Sequence, residues 1–483
     1  MWIVHSCCGE GTGIITLSEI IEATGGRVIL GRADTAVFSG VSIDSRTIKE
    51  GELFVALKGE RFDGHEFLMN AMEKGRGAIV STPSAVAFKG KTIVYVRNTL
   101  RSLQDIAHYM RMKRGVTVIG VTGTNGKTTT KELIASMLGR GHRVVKNSGN
   151  LNNHIGLPLS MTRMGEQDEY AVMEMGASIR GDIKELCAIA APEYGVITNI
   201  GPGHLEGFGN LENVRETKLE LFDAVRTIAV NADDGFLMEG ITQRDRENGP
   251  KVITFGIVNR ADVSAKDIVL EKRRSLFTLC LKDAQCGEIA LHVNGRFNIY
   301  NALAAASVCS ALGVGADDIA AGIRSFTGVP MRLEMKELFG ATVISDVYNA
   351  NPASMEEAIK ELVRLRKRRA VAVLGDMLEL GAYAEEAHRN LGKWMSQLPV
   401  DVLIAVGTMM AMAAEEFSAK NGHSRRMTMT ARDSSEARRI LLSVCSEGDT
   451  VLVKGSRGMH MEKIMEDAPD SATDCMVRGG NAL

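Results

Sequence analysis

At 483 residues and roughly 100 to 200 residues per domain, the chain calls for several domains, each with its own core. Its 57 Lys and Arg against 59 Asp and Glu leave a formal charge of -2, which excludes a chain-wide basic field for nucleic acid and requires any bound polyanion to be held locally. Apolar and charged contents of 45% and 24% exclude a mostly disordered, collagenous or coiled-coil chain, whereas the 50 glycines exceed the usual roughly 7% and point to sharp turns or close backbone approach to a ligand.

The opening MWIVHSCCGEGTG has no basic start and no long apolar stretch, and no run of about 18 apolar residues occurs anywhere. Secretion and membrane spanning are disfavoured, residues 1–15 read as a short N-terminal extension, and Met1–Gly13 are assigned no function. Of the eight cysteines only Cys7 and Cys8 are close in sequence, so neither a disulfide framework nor a zinc spacing is visible, and a reducing, cytoplasmic setting is expected. A first small α/β domain is expected over 16–113. Thr16 and Glu19 have capping-box spacing, Gly25-Gly26 supplies the stop, and Leu53–Leu57, GAIVS and TIVYV read as strands.

From Val116 the chain repeats apolar strand, glycine loop and amphipathic helix: VTVIGVTG before TTTKELIASML, EYAVMEMGA before DIKELCAIAA, then YGVITNIG. Buried parallel strands give such runs. A β-rich stretch over Lys251–Val293 and a helix near Asn298 complete a central domain, 114–328. GVPMRLE near Gly328 reads as a junction to a third, Rossmann-like α/β domain over 329–483. There Ala358, Leu362 and Leu365 form a core stripe, and Arg366, Lys367, Arg368 and Arg369 read as a solvated helix end suited to the macrodipole rather than as a nucleic-acid contact. The stretch after Asp467 reads as loose.

The sharpest local signal is GVTGTNGKTTTKE, an apolar strand running into glycines and then directly into a helix. Backbone N–H groups of Gly123, Thr124, Asn125 and Gly126, with the helix end at Lys127, Thr128 and Thr129, suit phosphates; Lys127 would neutralise them and Thr128 could ligate Mg²⁺. The general phosphate loop asks for glycine where Val121 stands, and the nearest glycine is Gly120. Two further residues fall at the carboxyl ends of strands, where open parallel sheets bind ligands: Glu174 after YAVM, and His204 in GPGHLEG. A capping carboxylate and a structural histidine are the plain alternatives.

GTNGKTT with its altered spacing resembles the ATP loop of the Mur ligases and of their relatives the folylpolyglutamate synthetases. The likeness continues in order through GNLNNHIGLPLS, VMEMGAS, ITNIGPGHLEGFG, RETKLELF, NGRFNIYNALAA, GVPMRLE, DVYNANPASM, LGDMLELG and LVKGSRG. DVYNANPASM, GNLNN and GDMLELG resemble the branch that adds D-alanyl-D-alanine, and the Asp-Asn-Pro-Arg stretch of the diaminopimelate- or lysine-adding branch is missing from the sequence.

The resemblance implies three α/β domains, the central one a phosphate-loop ATPase-like parallel sheet, and ATP-dependent joining of D-Ala-D-Ala to UDP-MurNAc-tripeptide through an acyl phosphate. It implies ATP and Mg²⁺, with metal ligands Thr128, Glu174, His204 and a carbamylated Lys218. Without it, Lys218 would read as a solvated helix residue. Asn298 and Asn301 are implied near adenine, with helix capping as the alternative; Phe297 stands where the family usually has His. Arg332 is implied at the ATP phosphates and Asp346 at the ribose. Ser45 and Arg46, with the turn KGERFDGHEF, resemble the uridine-diphosphate end. Asn152, Asn153 and His154 resemble substrate-proximal positions, and Tyr348, Asn349, Asn351, Lys454, Ser456 and Arg457 are expected around the incoming dipeptide. A monomer without nucleic-acid partner or membrane span is expected. The rival readings are a sibling ligase, or folylpolyglutamate-synthetase-like enzyme, with another amine acceptor, and a nucleotide-operated switch.

Overall fold

The computed structural model describes residues 14–31, 36–59, 62–83, 88–244, 249–282, 284–338, 340–419 and 426–466. Met1–Gly13 with Cys7 and Cys8, Glu60 and Arg61 of the KGERFDG turn, and the stretch from Asp467 lie outside these. The chain forms two compact units: one runs to Gly201 and resumes over Gly207–Thr327, and the other joins Pro202–Glu206 to the residues from Gly328 onward.

In the first unit, Ile15–Thr16 pairs with Val37–Phe38 and leads into the helix Leu17–Thr24. That helix opens on a reciprocal Thr16–Glu19 capping box and stops at Gly25, whose φ of 62° is free of the Cβ penalty. A five-stranded sheet follows, ordered Arg27–Leu30, Thr92–Tyr95, Gly77–Val80, Leu53–Val55, Val41–Ser42. One face packs Phe38, Leu53, Val55, Ile79 and Val94 under the helix Thr99–Arg114 through Leu103, Ile106 and Met110.

The polar flank of Thr99–Arg114 ties this small sheet to the next. Gln104 Nε2 donates to His154 O at 3.1 Å and Glu185 Oε1 at 2.9 Å, and buried Arg111 pairs with Glu193, which also accepts from Val118 N at 2.9 Å. The central sheet runs Val144–Lys146, Tyr170–Glu174, Thr117–Thr122, Tyr194–Ile197, Thr227–Asn231, Lys251–Gly256 and Val263–Leu270, all parallel, then Ser275–Leu281 and Ala284–Leu291 antiparallel. Thr117–Thr122 lies between strands that follow it on opposite sides, so the loop after it opens at the point where strand order reverses. Val118, Ile119, Val172, Met173, Val196 and Ile228 are fully buried, as continuous apolar parallel strands require.

The second unit has a six-stranded sheet, Glu334–Leu338, Ala341–Asp346, Thr450–Lys454, Ala370–Gly375, Val402–Val406, Met427–Ala431, parallel except for the first strand. The helix Pro352–Leu365 starts with Asn351 as its cap and Pro at its first turn, and buries Met355, Ala358, Ile359, Leu362 and Leu365. Truncating Leu362 to Ala there costs about 2–5 kcal/mol.

Arg366, Lys367 and Arg368 are exposed just past the helix, as a solvated helix end should be, while Arg369 is half-buried. The helix has already stopped at Leu365, and three of the four residues reach across the turns: Arg366 to Pro399 O, Arg368 to Glu447 O, and Arg369 to Asp449 Oδ2 at 2.6 Å and Val444 O at 2.8 Å. Their charges tether loops through carbonyls and a buried carboxylate. Among the described residues, no helix is long and apolar enough to cross a membrane.

Candidate active site

The loop after Thr117–Thr122 is built for close approach. Gly123 has φ 139° and Gly126 has φ 83°, and a Cβ at either would meet Thr198 Oγ1 at 2.0 Å or Asn301 Oδ1 at 2.2 Å. The loop is laced to the segment after Tyr194–Ile197. Asn199 accepts from Asn125 N at 3.0 Å, Thr198 Oγ1 donates to Asn125 O at 2.6 Å, and Thr124 Oγ1 accepts from Gly201 N at 2.9 Å. The helix Lys127–Leu138 begins at once, so the positive end of its macrodipole meets the loop. Lys127 Nζ folds over this loop, donating to Gly123 O at 2.8 Å and Thr124 O at 3.0 Å.

Beneath the loop, Thr128 Oγ1 donates to Glu174 Oε2 at 2.8 Å and Asn152 Nδ2 to Glu174 Oε1 at 2.8 Å. Glu174 closes its strand and is 2% exposed. A hydroxyl and a carboxylate in this relation are the oxygen donors a hard divalent cation takes. Thr129 and Thr130 are buried on the same helix, and Thr130 Oγ1 donates to Asn301 Oδ1 at 3.4 Å. Asn301 in turn donates to Asn298 Oδ1 at 3.1 Å, and Asn298 donates to Asn294 O at 2.6 Å. The helix Arg296–Ala311 starts at Gly295, so Asn298 lies in the first turn rather than at the cap. Gly295 (φ 94°) gives room to the Phe297 ring, which a Cβ would meet at 2.3 Å.

Lys218 lies on the helix Leu211–Leu219, 3% exposed, with its ammonium 5.5 Å from the centre of the Phe208 ring. Burial first, then the positive charge of Lys127, lowers its pKa from 10.5 to about 7, against opposing help from Asp182 and Glu220. An amine so placed is neutral in a large share of molecules at neutral pH.

His204 belongs by packing to the second unit, whereas Thr128, Glu174 and Lys218 belong to the first. His204 takes φ 54° and its Nδ1 lies 2.7 Å from Glu379 Oε2. The hydrogen bond from His204 holds the Glu379 carboxyl below the usual range. Glu379 itself has φ 63° and receives Glu206 N on its carbonyl. Paired left-handed, non-glycine residues mark a held conformation.

The second unit gathers the remaining expected residues at the ends of Ala341–Asp346 and Thr450–Lys454. Lys454, 1% exposed, donates to Asp346 Oδ2 at 2.6 Å and Asn349 O at 2.9 Å. Ser456 Oγ accepts from Leu378 N at 2.8 Å. Arg332 stacks 4.0 Å from the centre of the Tyr348 ring and is flanked by left-handed Met331 and Leu333. Asn351 accepts from Ser354 N as a helix cap, and Arg457 stands exposed, 3.8 Å from Glu462.

In the first unit, Asn153 accepts from Gly156 N at 2.8 Å, and His154 presents an exposed side chain. Ser45 lies in a turn whose Arg46 is 85% exposed and pairs with Asp44 at 2.7 Å. In the described part of the neighbouring turn, Asp63 Oδ1 lies 2.6 Å from His65 Nδ1, and His65 Nε2 accepts from Ser81 N at 2.9 Å, a closed structural chain. Sequence reasoning passed over Asn147, Thr198, Asn199 and Glu379, each of which holds an expected site residue or its loop. Asn199 and Glu379 stood inside quoted motifs; Asn147 followed a short strand with no pattern of its own.

Three family models match the chain: the Mur ligase family catalytic domain over residues 37–112, the Mur ligase middle domain over 121–309, and the Mur ligase glutamate ligase domain over 331–457. A Bacillus subtilis (strain 168) UDP-N-acetylmuramoyl-tripeptide--D-alanyl-D-alanine ligase is 36% identical over 468 residues, spanning 94% of this chain and 98% of that protein. Crystal structure I of MurF from Acinetobacter baumannii superposes with a TM-score of 0.83 at 30% identity, covering 94% of this chain and 98% of that one. MurF ligase from Thermotoga maritima in complex with ADP gives 0.75 at 30% identity, covering 88% and 96%.

Proposed function

The chain belongs to the Mur ligase family, and from that premise we propose that it carries out the reaction for which its relatives are named. It is an ATP-dependent ligase that joins D-alanyl-D-alanine to UDP-N-acetylmuramoyl-tripeptide in peptidoglycan synthesis. The observation that carries this reading at the site is the buried Thr128–Glu174 pair under a glycine loop that a Cβ would fill. Those features fit a triphosphate and Mg²⁺: glycine backbone and a helix start for the phosphates, hard oxygens for the cation. ATP with Mg²⁺ supplies the phosphoryl group that makes the tripeptide carboxylate an acyl phosphate, open to the incoming amine.

The chain's own residues then have distinct tasks. Gly123, Thr124, Asn125, Gly126 and Thr129 shape the cradle, and Lys127 places a positive charge where phosphoryl charge develops. Thr128 and Glu174 offer metal oxygens. Lys218 is proposed to add its neutral amine to CO₂, losing a proton and becoming an anionic carbamate beside them. His204 is proposed as a further ligand through Nε2, because Nδ1 is engaged by Glu379, as the outer nitrogen of a metal-binding imidazole commonly is. Asn298 and Asn301 face the base, Arg332 the phosphates and Asp346 the ribose.

Ser45, Arg46, Asn152, Asn153 and His154 are assigned to the UDP-sugar-peptide. Tyr348, Asn349, Asn351, Lys454, Ser456 and Arg457 are assigned to the dipeptide, with Lys454 acting through Asp346 and Asn349, which it already holds. The proposed domains are 16–113 for the UDP-sugar end, 114–328 for ATP and 329–483 for ligation, in a cytoplasmic monomer. The test is ADP release with UDP-MurNAc-tripeptide, with and without D-Ala-D-Ala. Release that needs both is expected; release indifferent to the dipeptide sinks the reading.

A further inference from the structure

The phosphate-loop helix carries a second lysine that the reaction above does not use. Lys131, one turn beyond Lys127, is 1% exposed. An ammonium group withdrawn from water is costly unless its protons are received. Lys131 Nζ donates to Asn147 O at 2.6 Å and stands 3.2 Å from Glu132 Oε1, a carboxylate that Lys146 also engages.

Asn147, itself 1% exposed, stands where Val144–Lys146 stops pairing with Tyr170–Val172. Its carboxamide takes over from the backbone. Oδ1 accepts from Glu174 N at 2.9 Å and Nδ2 donates to Glu174 O at 3.0 Å, so one side chain supplies both bonds of a ladder rung. The same Nδ2 reaches Leu151 O at 2.8 Å, drawing in the loop that returns Asn152 to the Glu174 carboxylate. Gly176 N closes the arrangement on Asn152 O at 2.8 Å. Glu174 is thus gripped at its backbone by Asn147 and at its carboxylate by Asn152 and Thr128.

We infer that Asn147, backed by Lys131, is a positioning residue that sets divalent-cation affinity by fixing Glu174 from its backbone side. The inference rests on the reading of Glu174 as a metal-binding carboxylate. Groups that orient a metal ligand without touching the metal are worth about 10–100-fold in affinity when removed. Lys131 keeps the Asn147 peptide from turning, and its loss acts in the same direction with smaller effect.

The test uses the full chain, with Mn²⁺ as a paramagnetic probe titrated against the ADP complex and ADP alone titrated in EDTA. Asn147→Ala should weaken Mn²⁺ binding about 10–100-fold while moving metal-free ADP affinity less than about twofold, and the Mg²⁺ needed for half-maximal turnover should rise in parallel. Asn147→Thr keeps a hydroxyl for the Glu174 N–H and should fall between; it also serves if the alanine variant fails to fold. Glu174→Gln checks the underlying reading. If Glu174→Gln weakens Mn²⁺ binding and neither Asn147 variant does, the inference alone is overturned. If Glu174→Gln also binds Mn²⁺ normally, the reading of Glu174 falls and the inference with it. Equal loss of metal and metal-free nucleotide binding in the Asn147 variants overturns it as well, since that marks a general collapse of the loop.

Discussion

Around the phosphate loop, neighbouring elements engage one polar group after another: Asn199 and Thr198 hold Asn125, Asn301 abuts Gly126, and Glu174 is held by Thr128 and Asn152. The Ser45–Arg46 turn is self-contained. Arg46 pairs with Asp44 two residues away, and the hydrogen bond from that guanidinium pulls the Asp44 carboxyl down to about 2. A cradle already oriented by its neighbours needs little reorganisation when charge develops inside it. An exposed cation that must leave one anion to meet another gains only the difference between the two. Both regions are proposed to hold phosphate oxygens, yet one is set in advance and the other works by exchange.

That contrast is sharpest where an engaged charge is stripped of its partner. Lys454 and Asp346 are 2% and 14% exposed at the side chain. Lys454→Met leaves a nearly buried carboxylate unpaired and should cost about 3–5 kcal/mol of unfolding free energy, with Asp346→Asn added to it recovering part of the loss. A cost below about 1 kcal/mol, the range of an exposed pair, would place this pair with Arg46 and blur the comparison. Next comes Lys218→Ala, expected to lower turnover by about 10²–10³-fold, the scale of one transition-state charge contact, while ADP titration shows nucleotide affinity kept.

The pH dependence follows from the amine of Lys218, whose pKa falls from 10.5 to about 7 chiefly through burial. Below 7 the protonated amine is closed to CO₂, so turnover should drop as pH falls through 7, and added bicarbonate should raise it most above that point. Stability runs the same way. Between 7 and 10.5 the unfolded chain binds the extra proton, so the unmodified protein gains stability as pH rises through that window, and Lys218→Met should flatten the slope in pH-dependent melts. A smaller effect is expected at Gly126: Ala there would face both φ 83° and Asn301 Oδ1, raising the ADP dissociation constant by an equivalent of about 1–3 kcal/mol.

Local chemistry explains what was legible in the sequence. The Thr16–Glu19 box, the stripe at Ala358, Leu362 and Leu365, and the loop from Gly123 to Lys127 each depend on residues a few positions apart, and all three appear in the folded chain. Arg369 with Asp449, Lys454 with Asp346, and His204 with Glu379 join residues that only the sheet order brings together. Spacing along the chain carries no record of such pairs. Asn147 was invisible for a related reason: its carboxamide replaces a backbone rung, and nothing in KNSGN separates that task from a turn residue's ordinary self-bonding.

The smallest effect, at Arg46, discriminates most finely between the two kinds of site. Arg46 is 85% exposed and, among the described residues, its carboxylate partner Asp44 lies in the same turn, so Arg46→Ala should leave the unfolding free energy close to that of the parent in denaturant melts. Its contribution to binding is the excess of a diphosphate over Asp44. That excess should appear as a rise in KM for UDP-MurNAc-tripeptide of about tenfold or less with kcat unchanged, because an interaction equal in ground and transition states alters KM alone. Asp44→Asn frees the guanidinium from its competitor and should lower the same KM, an effect weakened by salt as an exposed charge contact must be. If Arg46→Ala instead lowers kcat with KM fixed, the turn is read by the transition state, and the boundary drawn here between a preset cradle and an exchanging surface charge disappears.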